Sequence, residues 1–202
     1  MHATAFFIAI PAGIALVTVA ERAAARTAAS IYAVSLLVML GMSAAYHRLA
    51  ISERAQRIMR KADHATVFLK IAGTYTPICL VALPRDRGIP LLIAAWSIAI
   101  LGVAIKVFAP QRYIRWSSPL YVALGWVALA GLPTLVRNLT TVEFSLLVVG
   151  GLVYSVGAIL FWLRFPDPAP LVFGYHEVWH VNTVLASMMH FGVVVLVVTA
   201  AT

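Results

Sequence analysis

The stretch Tyr175-His176-Glu177-Val178-Trp179-His180 opens the last apolar segment of the chain. His176 and His180 are four residues apart, so on a helix they lie one above the other on a single face, about one turn apart. Two imidazoles at this spacing can bind one metal ion. Further ligands of such a metal, and any activating group, must come from other segments of the chain.

The composition is that of an integral membrane protein. Of the 202 residues, 62% are hydrophobic and 11% are charged, and the mean hydropathy is +0.95. A soluble domain is typically about half apolar. The formal charge is +8, but the basic residues cluster between apolar segments. They therefore predict contact with anionic lipid headgroups and not with nucleic acid.

The chain contains seven apolar segments that approach the ~20 residues needed to cross a bilayer as helix. The first has no preceding Lys or Arg and is longer than the apolar region of a signal peptide, so we expect it to be retained. Short connections rich in charge and turn formers separate the segments, which predicts one all-α domain, a seven-transmembrane helix bundle over residues 1–202. The predicted spans are Ala3–Ala20, Thr27–Tyr46, Ala65–Leu83, Ile89–Ile105, Pro119–Val136, Phe144–Leu163 and Val178–Ala201.

Lys and Arg are unequally divided between the two sides of this predicted bundle. The side that holds the N-terminus carries nine: Arg48, Arg54, Arg57, Arg60, Lys61, Lys106, Arg112, Arg115 and Arg164. The other side carries five: Arg22, Arg26, Arg85, Arg87 and Arg137. Because positive residues accumulate on the cytoplasmic side, we predict a cytoplasmic N-terminus and an external C-terminus. Lys70 lies within the third span, and we expect it to snorkel toward the headgroups.

The polar residues within or beside the spans fall on one side of the membrane. His47 closes the second span, Asp63 precedes the third, and His176 and His180 open the seventh. With seven spans, all four lie at the cytoplasmic side. The topology therefore predicts a shared site that the histidine spacing alone does not require.

Three polar motifs in this order resemble those of a known membrane-protein family. They are Ser43-Ala44-Ala45-Tyr46-His47, Asp63-His64 and the His176-x3-His180 pair, and the run Ile71-Ala72-Gly73-Thr74-Tyr75-Thr76-Pro77 resembles the third helix of that family. The pattern resembles the hemolysin III branch of the progestin and adipoQ receptor family. Adiponectin receptors belong to the same family, and the alkaline ceramidases are distant relatives.

The resemblance implies a zinc site and a location. It implies that His47, His176 and His180 hold a zinc ion, that Asp63 holds the metal-bound water, and that Ser43 lies beside the site. It also implies a multi-pass protein of the bacterial plasma membrane. Family members commonly carry a polar motif ending in Thr-His before the first span. This chain begins Met1-His2-Ala3, which leaves the role of that segment open.

Elementary chemistry assigns similar roles to these residues. Three neutral imidazoles and one water form the open arrangement typical of a catalytic zinc site, and three histidines suit zinc better than iron or manganese. Asp63 can orient that water or accept its proton. A structural alternative is that Asp63 caps the third helix and that Ser43 permits close helix packing. We expect His64 and His190 to form hydrogen bonds and not to bind the metal.

Several functions are compatible with these residues. The first is a zinc hydrolase that acts on the amide or ester bond of a membrane lipid, which enters laterally. The second is non-enzymatic: a pore-forming or membrane-homeostasis protein, or a receptor, with structural zinc. A direct Asp63–metal bond favours structural zinc, and an intervening water favours the hydrolase. The third is an intramembrane metalloprotease, because His176-Glu177-Val178-Trp179-His180 matches H-E-x-x-H, in which Glu177 is the general base.

Overall fold

The computed structural model describes residues 1–109, 117–169 and 172–201, without the side chains of residues 117–119. Within these ranges the chain is helical and forms no extended strand. Two irregular helical turns occur: a π-helical turn, Ile78–Ala82, follows α3, and a 3-10 turn, Val127–Gly131, joins α5 to α6. The helices are α1 His2–Val19, α2 Ala23–Leu49, α3 Glu53–Pro77, α4 Arg85–Phe108, α5 Ser117–Trp126, α6 Leu132–Asn138, α7 Thr141–Leu163 and α8 Tyr175–Thr199.

The prediction of an all-α protein with seven membrane-spanning segments is confirmed. Seven helical segments of the described chain are long and apolar enough to cross a bilayer, the fifth being Leu120–Asn138, which joins α5 to α6 through the 3-10 turn. Large apolar side chains such as Ile93 and Ile100 point outward and are 61% exposed. Outward-facing isoleucines on a spanning helix suit hydrocarbon and not water.

Helix α3 begins twelve residues earlier than the sequence predicts, at Glu53 instead of Ala65. The charged segment before the apolar run is also helical, and Ser52 caps it by accepting a hydrogen bond of 3.2 Å from the Ala55 amide. Hydropathy detects the part of a helix that lies in hydrocarbon, so it misses a polar extension of this kind. The alternative that Asp63 caps α3 is therefore wrong, because Asp63 lies about 15 Å along the helix from its first residue.

Helix α8 joins two groups of buried apolar residues. Val193 and Val197 belong to the group that includes Phe68 of α3, whereas Val194 and Val198 belong to the group built around α1 and α2. Adjacent pairs of valines thus face different neighbours. This packing fixes the last helix against α1, α2, α3 and α7, and it positions the histidines at the start of α8 relative to those helices.

Lys70 does not snorkel toward the headgroups. Its side chain is 1% exposed, its Nζ lies 3.4 Å from Nδ1 of His190, and it also lies 4.7 Å from the centre of the Tyr154 ring. His190 donates through Nε2 to the Leu147 carbonyl over 3.3 Å, so its Nδ1 is free to accept from Lys70. The expectation that His190 forms hydrogen bonds is confirmed, and the acceptor it offers explains why Lys70 stays buried.

We expect His190→Leu to destabilise the protein by about 1–3 kcal/mol, because the buried Lys70 amine then loses its acceptor. The double variant Lys70→Met, His190→Leu should recover much of that loss, since neither polar group remains. The measurement is the melting temperature of the detergent-solubilised protein for all four members of the mutant cycle, with Lys70→Met as the fourth. If the loss of stability in the double variant equals the sum of the losses in the two single variants, the pair contributes no coupling energy.

The orientation of the bundle remains a prediction, and two of the counted residues, Arg112 and Arg115, lie outside the described residues. In a variant whose Cys79 is replaced by Ala, a single cysteine inserted after Ala200 should react with membrane-impermeant thiol reagents added from outside the cell. The same cysteine should not be labelled when these reagents reach only the cytoplasmic face. Labelling from the cytoplasmic face alone would reverse the orientation.

Candidate metal centre

The three histidines predicted to bind metal lie together at one end of the bundle. His47 is in the last turn of α2, and His176 and His180 are in the first two turns of α8. Nε2 of His47 lies 3.1 Å from Nε2 of His180 and 3.4 Å from Nε2 of His176. Each residue offers one ligand nitrogen, and these three atoms lie within 4.8 Å of one another.

The spacing of these nitrogens suits zinc. In a tetrahedral site with Zn–N bonds of about 2.0–2.1 Å, ligand atoms are separated by roughly 3.3–3.4 Å. The two measured separations, 3.1 and 3.4 Å, are close to that value. The three imidazoles can therefore hold one metal ion with little movement, and they leave a fourth coordination position for a group other than these histidines.

The start of α8 is held by its own polar side chains. Glu177 Oε2 accepts a hydrogen bond of 2.9 Å from the amide of Gly174, which precedes the helix. Asp167 Oδ1 accepts one of 3.0 Å from the amide of Tyr175. Amides at a helix N-terminus have no partner within the helix, so these contacts stabilise the first turn. They fix the turn that carries His176, and they assign the Glu177 carboxylate to helix capping.

Ser43 lies beside the histidines, and Asp63 of α3 lies near Ser43. Ser43 is one turn before His47 on α2 and is 2% exposed. The Asp63 carboxylate lies near the Ser43 hydroxyl. Asp63 is not a member of the group whose ligand atoms lie within 4.8 Å of one another. Asp63 is therefore outside the group of residues that could hold a metal ion.

His64 behaves as predicted for a residue that forms hydrogen bonds. Its Nδ1 lies 3.4 Å from Nζ of Lys106, and its carbonyl accepts a hydrogen bond of 3.0 Å from the Tyr121 hydroxyl. It follows Asp63 directly, so its side chain leaves α3 in a different direction. These contacts hold the middle of α3 to α4 and α5, close to the site.

His2 is a member of the site that the sequence did not single out. Its ring is 9% exposed, its Nδ1 lies 2.7 Å from Ser43 Oγ, and its Nε2 lies 3.1 Å from Nδ1 of His180. The same Nε2 is 3.1 Å from Oγ1 of Thr183. No other possible metal ligand lies three or four residues from His2, so helical periodicity could not identify it. The available signal was the polar motif that the resembled family carries before its first span.

Two cavities are lined by residues of the described helices. One, of about 230 Å³, lies at the end of the bundle and is lined by His2, Ser43, His47, Glu177 and His180. The other, of about 140 Å³, lies among the spans and is mainly apolar. Val67, Lys70, Ile71 and Thr74 of α3 line it. Because residues at intervals of three and four share a helix face, Asp63 lies on the same face of α3 as these four.

Comparison with known proteins identifies relatives over nearly the whole chain. The family described as Haemolysin-III related matches residues 1–191. The chain is 35% identical to the protein named Hemolysin-3 of Bacillus cereus over 194 residues, which cover 94% of this chain and 85% of that protein. It is 34% identical to the Hemolysin-3 homolog of Bacillus subtilis (strain 168) over 152 residues, which cover 75% of this chain and 68% of that protein.

Proposed function

This chain belongs to the haemolysin-III-related family, and we propose that it binds zinc and hydrolyses an amide or ester bond of a membrane lipid. The observation that carries the proposal is the convergence of the His47, His176 and His180 nitrogens within 4.8 Å of one another, beside a carboxylate outside the ligand group. Zinc held by three imidazoles with one position open polarises a carbonyl and makes water a better nucleophile at neutral pH.

Asp63 is the proposed general base. It lies near Ser43, which shares a cavity with His47 and His180, and it is half-buried. From this place a carboxylate can orient an attacking water and accept its proton. Ser43 lies within reach of the carboxylate and can donate to one of its oxygens, leaving the other for water. The two residues come from different helices, α3 and α2, whose packing fixes the distance between them.

The apolar cavity supplies the reason for choosing a lipid. Its wall includes the α3 residues that share a face with Asp63, and it also includes Trp179, the neighbour of His180. An acyl chain that enters laterally between the spans and lies in this cavity would place its polar linkage toward Asp63 and the histidines. Lipid tails are the apolar molecules available at this depth. Burial of the chain would contribute binding energy at a distance from the reacting bond.

Non-enzymatic activity with structural zinc is the second candidate function. The names of the two Bacillus relatives, Hemolysin-3 and Hemolysin-3 homolog, favour it. A closed structural site has four protein ligands, whereas the ligand group found among the described residues has three. The metalloprotease interpretation is weaker, because Glu177 accepts from the Gly174 amide at the start of α8.

We further propose that the protein lies in the bacterial plasma membrane with the metal site near the cytoplasmic face. The support is the nine-to-five excess of Lys and Arg on the side that holds the N-terminus. The relatives from two Bacillus species are also bacterial.

The test is a lipid-resolved mass-spectrometric screen of zinc-loaded purified protein in vesicles made from a bacterial lipid extract supplemented with amide-linked lipids. Wild-type protein should convert at least one lipid into a free acid and an amine or alcohol, and Asp63→Ala should not. If wild-type protein cleaves no amide or ester across the whole screen while zinc stays bound, the structural-zinc candidate becomes the better one.

A further inference from the structure

We infer that His2 is a positioning residue of the metal centre, which holds the His180 ring by accepting a hydrogen bond from it and joins it through Ser43 to Asp63. The inference rests on the zinc site proposed above but not on hydrolysis. It concerns residues of α1, α2, α3 and α8. It assigns a role to the start of α1, a helix that supplies no residue to the proposed hydrolysis.

The two nitrogens of His180 face different partners. Nε2 faces His47 at 3.1 Å, on the side where the three ligand nitrogens converge. Nδ1 faces Nε2 of His2, also at 3.1 Å. A histidine that binds metal through one nitrogen carries its proton on the other and donates it to a nearby acceptor. His2 is therefore placed to be the acceptor for His180.

Donors and acceptors can be matched along the whole sequence of contacts. If His180 donates from Nδ1 to Nε2 of His2, then His2 carries its own proton on Nδ1, which lies 2.7 Å from Ser43 Oγ. Ser43 accepts that hydrogen bond from His2, and its hydroxyl proton is then available to the nearby Asp63 carboxylate. His2 and Ser43 then each accept one hydrogen bond and donate one. The line of contacts ends at the only group in it that accepts without donating.

The opposite tautomer is incompatible with metal at Nε2 of His180. If His2 carries its proton on Nε2, it can donate to Thr183 Oγ1 at 3.1 Å and to Nδ1 of His180. His180 then carries its proton on Nε2, the nitrogen that faces His47. Metal binding must displace that proton, so it selects the arrangement in which His180 donates and His2 accepts. In that arrangement the Thr183 hydroxyl keeps its hydrogen bond of 2.9 Å to the His180 carbonyl.

His2 is well placed to act through hydrogen bonds, because its position is fixed. The ring is 9% exposed and stands edge-on to the His180 ring, with the centroids 4.2 Å apart. It is not a member of the group of three ligand residues. A buried ring that contacts a ligand histidine, but is outside the ligand group, is placed to orient that ligand through a hydrogen bond.

The test compares zinc affinity, measured by competition with a chromophoric chelator, among wild-type protein, His2→Ala, His2→Phe and His2→Gln. His2→Phe keeps the ring and removes both nitrogens, so it separates hydrogen bonding from packing. His2→Ala and His2→Phe should bind zinc about 10–100-fold more weakly. His2→Gln should recover most of the affinity, because its amide oxygen can accept from His180 and its amide nitrogen can donate to Ser43. Thr183→Val is the matched control, since it removes a contact of His2 but leaves the His180 contact in place.

Cobalt substitution gives a readout that does not depend on activity. The visible absorption of the Co²⁺ protein should keep the intensity of a four-coordinate centre in every His2 variant, because no ligand is removed. Three results would overturn the inference: unchanged zinc affinity in His2→Phe, failure of His2→Gln to recover affinity, or loss of a ligand from the Co²⁺ spectrum of His2→Ala. The last result would make His2 a ligand. If zinc binding also survives His47→Ala, His180→Ala, the metal site itself is misplaced, and this outcome distinguishes the failure of the site from that of the His2 inference.

Discussion

The double variant His47→Ala, His180→Ala is expected to lose zinc, with affinity reduced by more than about 100-fold. Loss of one hydrogen-bond partner of a metal ligand already costs about 10–100-fold in metal affinity, and removal of two ligand nitrogens must cost more. The remaining ligand, His176, belongs to α8, so the metal could no longer join α2 to α8. Zinc content per chain, measured by plasma mass spectrometry after purification without chelators, is the direct observable.

The same variant should also alter how a chelator affects stability. A metal that binds only the folded protein stabilises it by mass action, so a chelator should lower the melting temperature of wild-type protein. It should have no effect on the double variant, which has no zinc to lose. His64→Asn is the matched control, because His64 lies beside Asp63 but outside the ligand group, and it should keep both the zinc and the response to chelator. Full zinc occupancy in the double variant would refute the assignment of the ligands.

Asp63→Asn is expected to keep zinc and fold but to lose turnover by about 10²–10⁴-fold, the usual contribution of a general base. Asparagine has nearly the shape of aspartate and can still interact with Ser43, but it cannot accept a proton from water. Because Asp63 is not a member of the ligand group, zinc affinity should change little. The rate of conversion of the lipid identified in the screen, with zinc content measured on the same samples, separates the two effects.

Glu177→Gln provides the opposing comparison for that experiment. If Asp63→Asn is fully active while Glu177→Gln is inactive, Glu177 is the base and the H-E-x-x-H interpretation is correct. If Asp63→Asn loses its zinc together with its turnover, Asp63 is a ligand, and the closed structural site is the better description. The proposed hydrolase requires the third outcome, in which zinc is retained and turnover is lost.

The main features of the fold could be predicted because hydrocarbon imposes a simple rule: a segment that crosses it must be apolar and helical. The rule says nothing about helix outside the hydrocarbon or about contacts between spans, and in these two respects the predictions were incomplete. It missed the polar start of α3 at Glu53. It also treated Lys70 as an isolated cation, because a span-by-span pattern could not pair it with His190, which follows it by 120 residues in the chain.

The ligand triad could also be predicted, because the histidine pair of α8 has a helical spacing and the number of spans brings His47 to the same side. Convergence of the three nitrogens is confirmed in the described structure, while the roles assigned to Asp63 and Ser43 stay predictions. His2 could not be found in this way. Its relation to His180 is a tertiary contact between residues 178 positions apart. No residue next to either of them in the sequence indicates that the two rings meet.

The order in which the three histidines are synthesised determines when the site can assemble during biosynthesis. His47 and His176 are separated by 129 residues, so at 5–20 residues per second the ribosome needs roughly 6–26 s to pass from one to the other. Helices α1 to α7 are therefore synthesised before the three histidines can come together. Metal loading is then a late event of biogenesis, and a nascent chain arrested before α8 would carry His2 and His47 but no triad.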